Sequence, residues 1–329
     1  MDAVSLLEAL TRIESCSGKE ERIASFILNH LRNMGYYAFI EDSNVLLQPE
    51  KDLIVATHID TFKVLSPYSF DGKYAYGTGV CDAKASITSI LLALEKIGPN
   101  RLRFGVAFFH DEEGEGKGSM DFCRTYKPKM AIVMEPTDMA IANVQYGGLE
   151  VIIKARGIAA HGATPHMGKN AIEKCIEAIS VLMRISEATA SVQYISGGNI
   201  EDFAIPSECE ARIEFFFRPD IKAEHILAKI KESLCPKNFE ITIKEAYDGF
   251  VSVKASKILE NAIKVAGYSV RFSEMPSWTD AVNLYKCVRC DSVIFGPGEL
   301  HLCHTKNERV RVKDVITAAD ILVALNSML

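Results

Sequence analysis

The segment Gly105-Val-Ala-Phe-Phe-His-Asp-Glu-Glu-Gly114 runs from an apolar stretch straight into His110, Asp111, Glu112 and Glu113. Buried carboxylates are costly unless a cation or a hydrogen-bond network holds them. Adjacent residues on an extended segment point to opposite sides, so Glu112 and Glu113 can divide their labour. One can bind a metal while the other faces a substrate. Metal-assisted hydrolysis needs that division: a ligand, and a general base for an activated water.

Three further apolar runs also end in metal-type ligands. Leu53–Ala56 leads into His58 and Asp60, which lie two apart and so on one side of an extended chain. Asp60 can then hold the far ring nitrogen of His58 and fix its tautomer. Met130–Met134 ends at Glu135. The run from Ser292 to Phe295 is followed by Gly296-Pro-Gly298 and then His304. Asp82 sits in the glycine turn Gly77-Thr-Gly-Val-Cys-Asp82-Ala-Lys84, where a carboxylate can present both oxygens to two cations. Taken singly, His58-x-Asp60 also reads as a capped strand end, His304 as a loop histidine and Gly77–Lys84 as a phosphate cradle. The last lacks the glycine order and the Lys-Ser/Thr ending of nucleotide motifs. Together, His58, Asp82, Glu113, Glu135 and His304 suit a pair of divalent ions about 3.5–4 Å apart. Mixed nitrogen and oxygen donors fit zinc, cobalt or manganese better than calcium.

Elements that position these residues follow from periodicity. Helical spacing covers residues 2–15, 19–34, 85–97 and 118–126, and strand patterns cover 36–40, 45–47, 53–56, 102–109 and 130–134. The alternation predicts an α/β fold with a mixed, largely parallel sheet flanked by helices. The texture changes near residue 147. Strands at 148–155, 208–217 and 239–244 with helices at 170–186 and 223–234 predict a small β-α-β-β-α-β sandwich, ferredoxin-like. A helix at 256–266, a strand at 269–272, a helix from 279, a strand at 292–295 and a helix at 314–328 resume the first pattern. Residues 1–146 with 251–329 are therefore expected to form one discontinuous domain, interrupted by an inserted α+β domain at 147–250.

Composition limits the alternatives. The 329 residues are 48% hydrophobic and 24% charged, with a formal net charge of −6. A basic stripe for nucleic acid is missing, and no apolar run approaches the ~20 residues of a membrane span. Nine cysteines without a disulfide rhythm point to a reducing compartment, and we expect a cytoplasmic protein. Cys287-Val-Arg-Cys290 lacks a partner pair and reads as buried thiols near a strand.

Six motifs in order carry a family resemblance. They are Thr57-His58-Ile-Asp60, Gly77-x-Gly-x-x-Asp82-x-Lys84, Asp111-Glu112-Glu113-Gly114, Glu135-Pro-Thr, Gly157-x-x-Ala-His161-Gly-Ala-Thr-Pro165 and Gly296-Pro-Gly298…His304-Thr-x-x-Glu308. The set resembles the di-zinc amidohydrolases that include glutamate carboxypeptidase, acetylornithine deacetylase and succinyl-diaminopimelate desuccinylase. It covers nearly the whole chain. The resemblance implies His58 and Glu135 on one zinc (cobalt being the alternative metal), Glu113 and His304 on the other, and Asp82 between them. Glu112 matches the general base and Asp60 the residue behind His58. His161 matches an oxyanion-stabilising histidine that often acts across a homodimer formed by the inserted lid or dimerisation domain. Arg218 resembles a substrate-carboxylate clamp, and Gly296 and Gly298 match substrate-side backbone. Asn199 stands near the place of a family asparagine, which here is Phe203. Thr78 and Ala85 replace a common arginine and glycine.

Glu135 resembles the deacetylase and desuccinylase branch, and Asp82-Ala-Lys84, Trp278-Thr-Asp280-Ala-Val-Asn283 and the Gly296–Thr305 segment look closest to the short hydrolases of lysine and ornithine biosynthesis. The implied substrate is an N-acyl amino acid or an amino acid linked to an amino-group carrier protein. A desuccinylase, or a dipeptidase or carboxypeptidase, is the alternative within the family. A non-catalytic binding or assembly paralogue is the alternative outside it.

Overall fold

The computed structural model describes residues 1–63, 66–234 and 239–329. The chain divides into two compact units: Met1–Val144 with Ser252–Met275 and Thr279–Leu329, and Gln145–Val251 with Pro276–Trp278.

In the first unit, four parallel strands form the middle of the sheet: Gly105–Phe109, Leu53–His58, Met130–Val133 and Asp291–Ile294. All are almost wholly buried, which is why they read as uninterrupted apolar runs rather than as alternating ones. Asn44–Leu47 and Phe39–Glu41 extend the sheet antiparallel at one side. Ile141–Gln145 and Phe272–Met275 extend it at the other. Register places His58 opposite Phe109 and Ala56 opposite Val133. Parallel direction and matched register therefore bring the carboxyl ends of these strands to one edge, where open α/β sheets place ligands.

Helix Lys84–Ile97 is buried along most of its length and packs on Leu53–His58 and on the closing helix Val312–Met328. Ile87, Ile90, Leu91, Leu94, Phe104, Phe108, Ile321, Leu322 and Leu325 share one core. Several strands differ from the sequence expectation, among them the one expected at 102–109, which begins at Gly105. Tyr36 is not in a strand, because its backbone N–H closes helix Glu21–Asn33 on Leu31 O at 3.0 Å; its hydroxyl donates to Leu94 O at 2.8 Å and ties it to the helix layer. The strand expected at 269–272 forms at Phe272–Met275, beyond the left-handed turn at Gly267.

The second unit holds a four-stranded antiparallel sheet in the order Thr189–Gly197, Glu208–Phe217, Gly147–Arg156, Phe239–Tyr247. Helices Ala171–Leu182 and Ala223–Ser233 pack on one face. Along Glu208–Phe217 the odd-numbered residues from Cys209 to Phe217 are buried and their neighbours less so. Thr189–Gly197 had no sequence range, because its pattern of exposed residues gives no buried alternation to read. Pro276–Trp278 joins this unit through Gln145, whose side-chain amide donates to Ser277 O at 2.6 Å. Eight cysteines among the described residues are free thiols. Cys290 is buried as expected, but Cys287 is exposed.

Candidate metal centre

His58 ends its strand with a fully buried side chain. Its Nε2 lies 2.9 Å from Asp82 Oδ1 and 3.7 Å from Glu135 Oε2, and its Nδ1 lies 3.3 Å from Asp60 Oδ1. His304 presents Nε2 at 2.8 Å from Glu113 Oε1 and 3.6 Å from Asp82 Oδ2. Phe62 stacks on the His304 ring, centroids 4.7 Å apart. The two oxygens of Asp82 are thus divided between the two imidazoles. Two groups result, His58–Asp82–Glu135 and Asp82–Glu113–His304, each with ligand atoms within 4.8 Å of one another.

Asp60 organises more than His58. Its Oδ1 accepts from Glu112 N at 3.0 Å, and its Oδ2 accepts from Glu113 N at 3.0 Å and from Ser17 Oγ at 2.7 Å. One buried carboxylate therefore sets both the histidine and the backbone of the adjacent glutamates. The turn before them is held by Asn44, which accepts from His110 N and donates to Gly118 O. Thr57 Oγ1 donates to Met134 O at 2.9 Å and locks the ends of two parallel strands together.

The electrostatics suit divalent cations. Burial pushes Glu112 well above the usual carboxylate range and Glu135 up to about 8, against the pull of His58. Burial also raises Glu113 despite its bond with His304. Burial disfavours protonation of His58, yet Glu135, Glu112 and the bonds to Asp60 and Asp82 hold it well above its ordinary value. Glu135 Oε1 is buried without a hydrogen-bond partner in the described structure. Three carboxylates, one of them with an orphaned buried oxygen, and two imidazole nitrogens in one place fit one or two divalent ions. Asp280, which begins helix Asp280–Val288, adds a further buried acid, raised by burial to about 7, and its charge raises Glu112 and Glu135 in turn. Sequence reading gave Asp280 no role in the site; the signal available was an aspartate between Trp278 and an apolar helix start.

A pH dependence follows for protein stripped of metal by a chelator. The raised carboxylates stay protonated when folded at pH values where the unfolded chain has shed those protons. Raised His58 and His304 act in the same sense above pH 6.5, while lowered Asp60 and Asp82 matter only at more acidic pH. The folded chain therefore holds more protons between about pH 5 and 8, and stability falls as pH rises through that window. Calorimetry of chelated protein should give a lower Tm at pH 8.5 than at pH 6. A higher one would contradict these shifts.

Gly296 and Gly298 have packing duties here. A Cβ on Gly296 would lie 2.7 Å from Glu135 O, and Gly298, at φ +98°, abuts Cys81 Sγ. His161, Asn199 and Arg218 lie in the second unit and are exposed. His161 Nδ1 accepts from Ala163 N at 3.1 Å, and Asn199 Oδ1 accepts from Glu201 N at 3.1 Å. The Arg218 guanidinium lies 6.0 Å from the Tyr146 ring centre. Phe203 is almost fully exposed.

The fold and this cluster of acids and imidazoles define a metal-dependent hydrolase of the α/β class. The chain belongs to peptidase family M20/M25/M40, whose family model matches residues 54–327. It is 27% identical to an uncharacterised metallohydrolase of Methanocaldococcus jannaschii, over 95% of this chain and 94% of that protein. It is 25% identical to the LysW-lysine/LysW-ornithine hydrolase of Sulfurisphaera tokodaii, over 95% and 91%. A solved structure, the Bacillus subtilis YXEP protein, described as a dinuclear metal-binding peptidase of the M20 family, superposes with a TM-score of 0.74 at 13% identity, covering 99% of this chain and 97% of that one. Among the described residues no helix is long and apolar enough to cross a membrane.

Proposed function

We propose that this protein hydrolyses an amide bond to release a free amino acid, lysine or ornithine, from an N-acyl or carrier-protein-linked form. The observation that carries the reading is the pair of ligand groups sharing Asp82, with Glu112 beside them but in neither group. In this reading His58, Asp82 and Glu135 hold one divalent ion, and Asp82, Glu113 and His304 the other, zinc or cobalt. Such ions polarise a carbonyl and lower the pKa of water.

The chain's own residues do the rest. Glu112 takes a proton from the attacking water on its carboxylate and passes it to the leaving amine nitrogen, so one group serves as base and then as acid. Asp60 keeps the His58 ring and the Glu112 backbone in place, which limits the motion available to the base. His161 donates to the oxygen on which charge develops, and Arg218 clamps the substrate carboxylate with paired N–H donors. The peptides of Gly296 and Gly298 and the side chain of Asn199 complete the substrate contacts. The second unit serves as lid and dimerisation domain. Its edge strand Thr189–Gly197 exposes Val192, Tyr194 and Ile195, a surface suited to a second copy of the chain. A reducing, cytoplasmic setting accords with the free thiols.

The substrate follows from likeness to relatives such as the Sulfurisphaera tokodaii enzyme, whose name gives LysW-linked lysine and ornithine. The test is a panel of acetylornithine, acetyllysine, carrier-linked lysine, succinyl-diaminopimelate and a dipeptide, each with zinc and with cobalt. Turnover of one of the first three is the expected result. Turnover confined to the last two moves the assignment to a desuccinylase or dipeptidase. A purified protein that takes up neither metal removes the catalytic reading altogether.

A further inference from the structure

Glu308 is among the buried acids to which the site residues so far give no role. Glu308 is 2% exposed and lies four residues beyond His304. Its Oε2 accepts from Gly79 N at 2.9 Å, and its Oε1 accepts from Cys81 N at 2.9 Å and Asp82 N at 3.2 Å. The backbone carbonyl of the same residue accepts from Gly77 N at 3.2 Å. One residue thus receives four of the N–H groups in the six-residue turn that ends at Asp82. These are groups that the turn cannot satisfy within itself, and burying them unpaired would be costly.

The same residue is anchored on its other side. Immediately after it, Arg309–Arg311 pairs antiparallel with Tyr74–Tyr76, the strand that leads into the turn. Before it, Cys303 Sγ lies 3.6 Å from Cys81 Sγ, and Gly298 packs on the same Cys81 sulfur. The segment carrying His304 and the turn carrying Asp82 are therefore laced together, and Glu308 makes the charged part of the lacing. Hydrogen bonds to a carboxylate are shorter and stronger than neutral ones.

We infer that Glu308 is a positioning residue for the metal centre: its carboxylate fixes the backbone of Asp82 relative to His304, and so fixes the one ligand common to both groups. The inference rests on the reading of Asp82 as the shared ligand. It assigns Glu308 no contact with substrate or metal. Two variants separate positioning from general stability. Glu308→Gln keeps the shape but replaces one acceptor oxygen by an amide N–H₂, which faces N–H donors and cannot accept from them. Glu308→Asp keeps the charge and both acceptors on a stem one methylene shorter.

The readouts are metal equivalents and affinity by titration with cobalt, the visible cobalt spectrum, and kcat and KM separately. Groups that orient metal ligands typically cost about 10–100-fold in affinity when removed. Glu308→Gln should lose at least about 10-fold in affinity for one or both ions. Its cobalt spectrum should change and kcat should fall, with KM within about twofold of wild type, and Glu308→Asp should recover part of each. A Glu308→Gln protein that binds two ions with wild-type affinity and spectrum overturns the inference, whatever its Tm. So does a Glu308→Asp protein no better than Glu308→Gln. Fewer than two ions on the wild-type protein would overturn the two-ion reading itself, and this inference with it.

Discussion

Glu112→Gln should lower kcat by about 10²–10⁴-fold while metal content and KM stay near wild type. Glutamine fills the same space and can still hydrogen-bond, but it cannot take a proton. Glu112 belongs to neither ligand group, so its removal takes no donor from the ions. Its backbone N–H remains bonded to Asp60 Oδ1, so the segment that carries it is not released. Loss confined to kcat marks an interaction made in the transition state rather than in the ground state. Glu113→Gln must behave differently, since Glu113 Oε1 lies 2.8 Å from His304 Nε2 inside a ligand group. That variant should lose metal, and excess zinc or cobalt should restore part of its activity. Steady-state kinetics with metal analysis on both proteins checks the pair. A Glu112→Gln enzyme of near-normal kcat, or one that sheds its metal, would exchange or abolish the roles proposed for these neighbours.

Adjacency on an extended segment says only that Glu112 and Glu113 differ, and only the family resemblance divided their roles; in the structure the pair lies in a turn just past the strand Gly105–Phe109 rather than on an extended segment. What resolved their surroundings was Asp60, just past a strand about fifty residues earlier, which accepts both of their backbone N–H groups. Long-range hydrogen bonds of this kind leave no local pattern. The same holds for Glu308, quoted within a motif but given no role, and for Asp280. The positions of His58, Glu113 and Glu135 were legible for a simpler reason. Each follows an apolar run that ends abruptly, and parallel strands deliver such ends to one edge. Helix spans were legible from period and stop signals, as with Lys84–Ile97 before Pro99. Short strands such as Tyr74–Tyr76 and Arg309–Arg311 were not, since three residues carry no period.

In the proposed two-ion site, Asp82→Ala should remove both ions, whereas His304→Ala should remove one. Asp82 gives Oδ1 toward His58 and Oδ2 toward His304, so its loss leaves each group with only two protein donors. His304→Ala leaves His58, Asp82 and Glu135 whole. The readout is stability as well as turnover. A ligand present at 100 times its Kd raises stability by about 2.7 kcal/mol if it binds only the folded chain. Wild-type protein should therefore show a clear rise in Tm on adding zinc to chelated enzyme, His304→Ala a smaller rise, and Asp82→Ala almost none. Activity of Asp82→Ala should fall by about 10⁴-fold or more, beyond the loss from the base alone. An undiminished zinc-induced rise in Asp82→Ala would mean that the two groups do not depend on a common oxygen donor. The asymmetry has an electrostatic origin. Two cations a few ångström apart repel strongly in a buried site, and a carboxylate between them is the anion best placed to offset that repulsion. Without it, the donors left to each ion must also hold it against its neighbour.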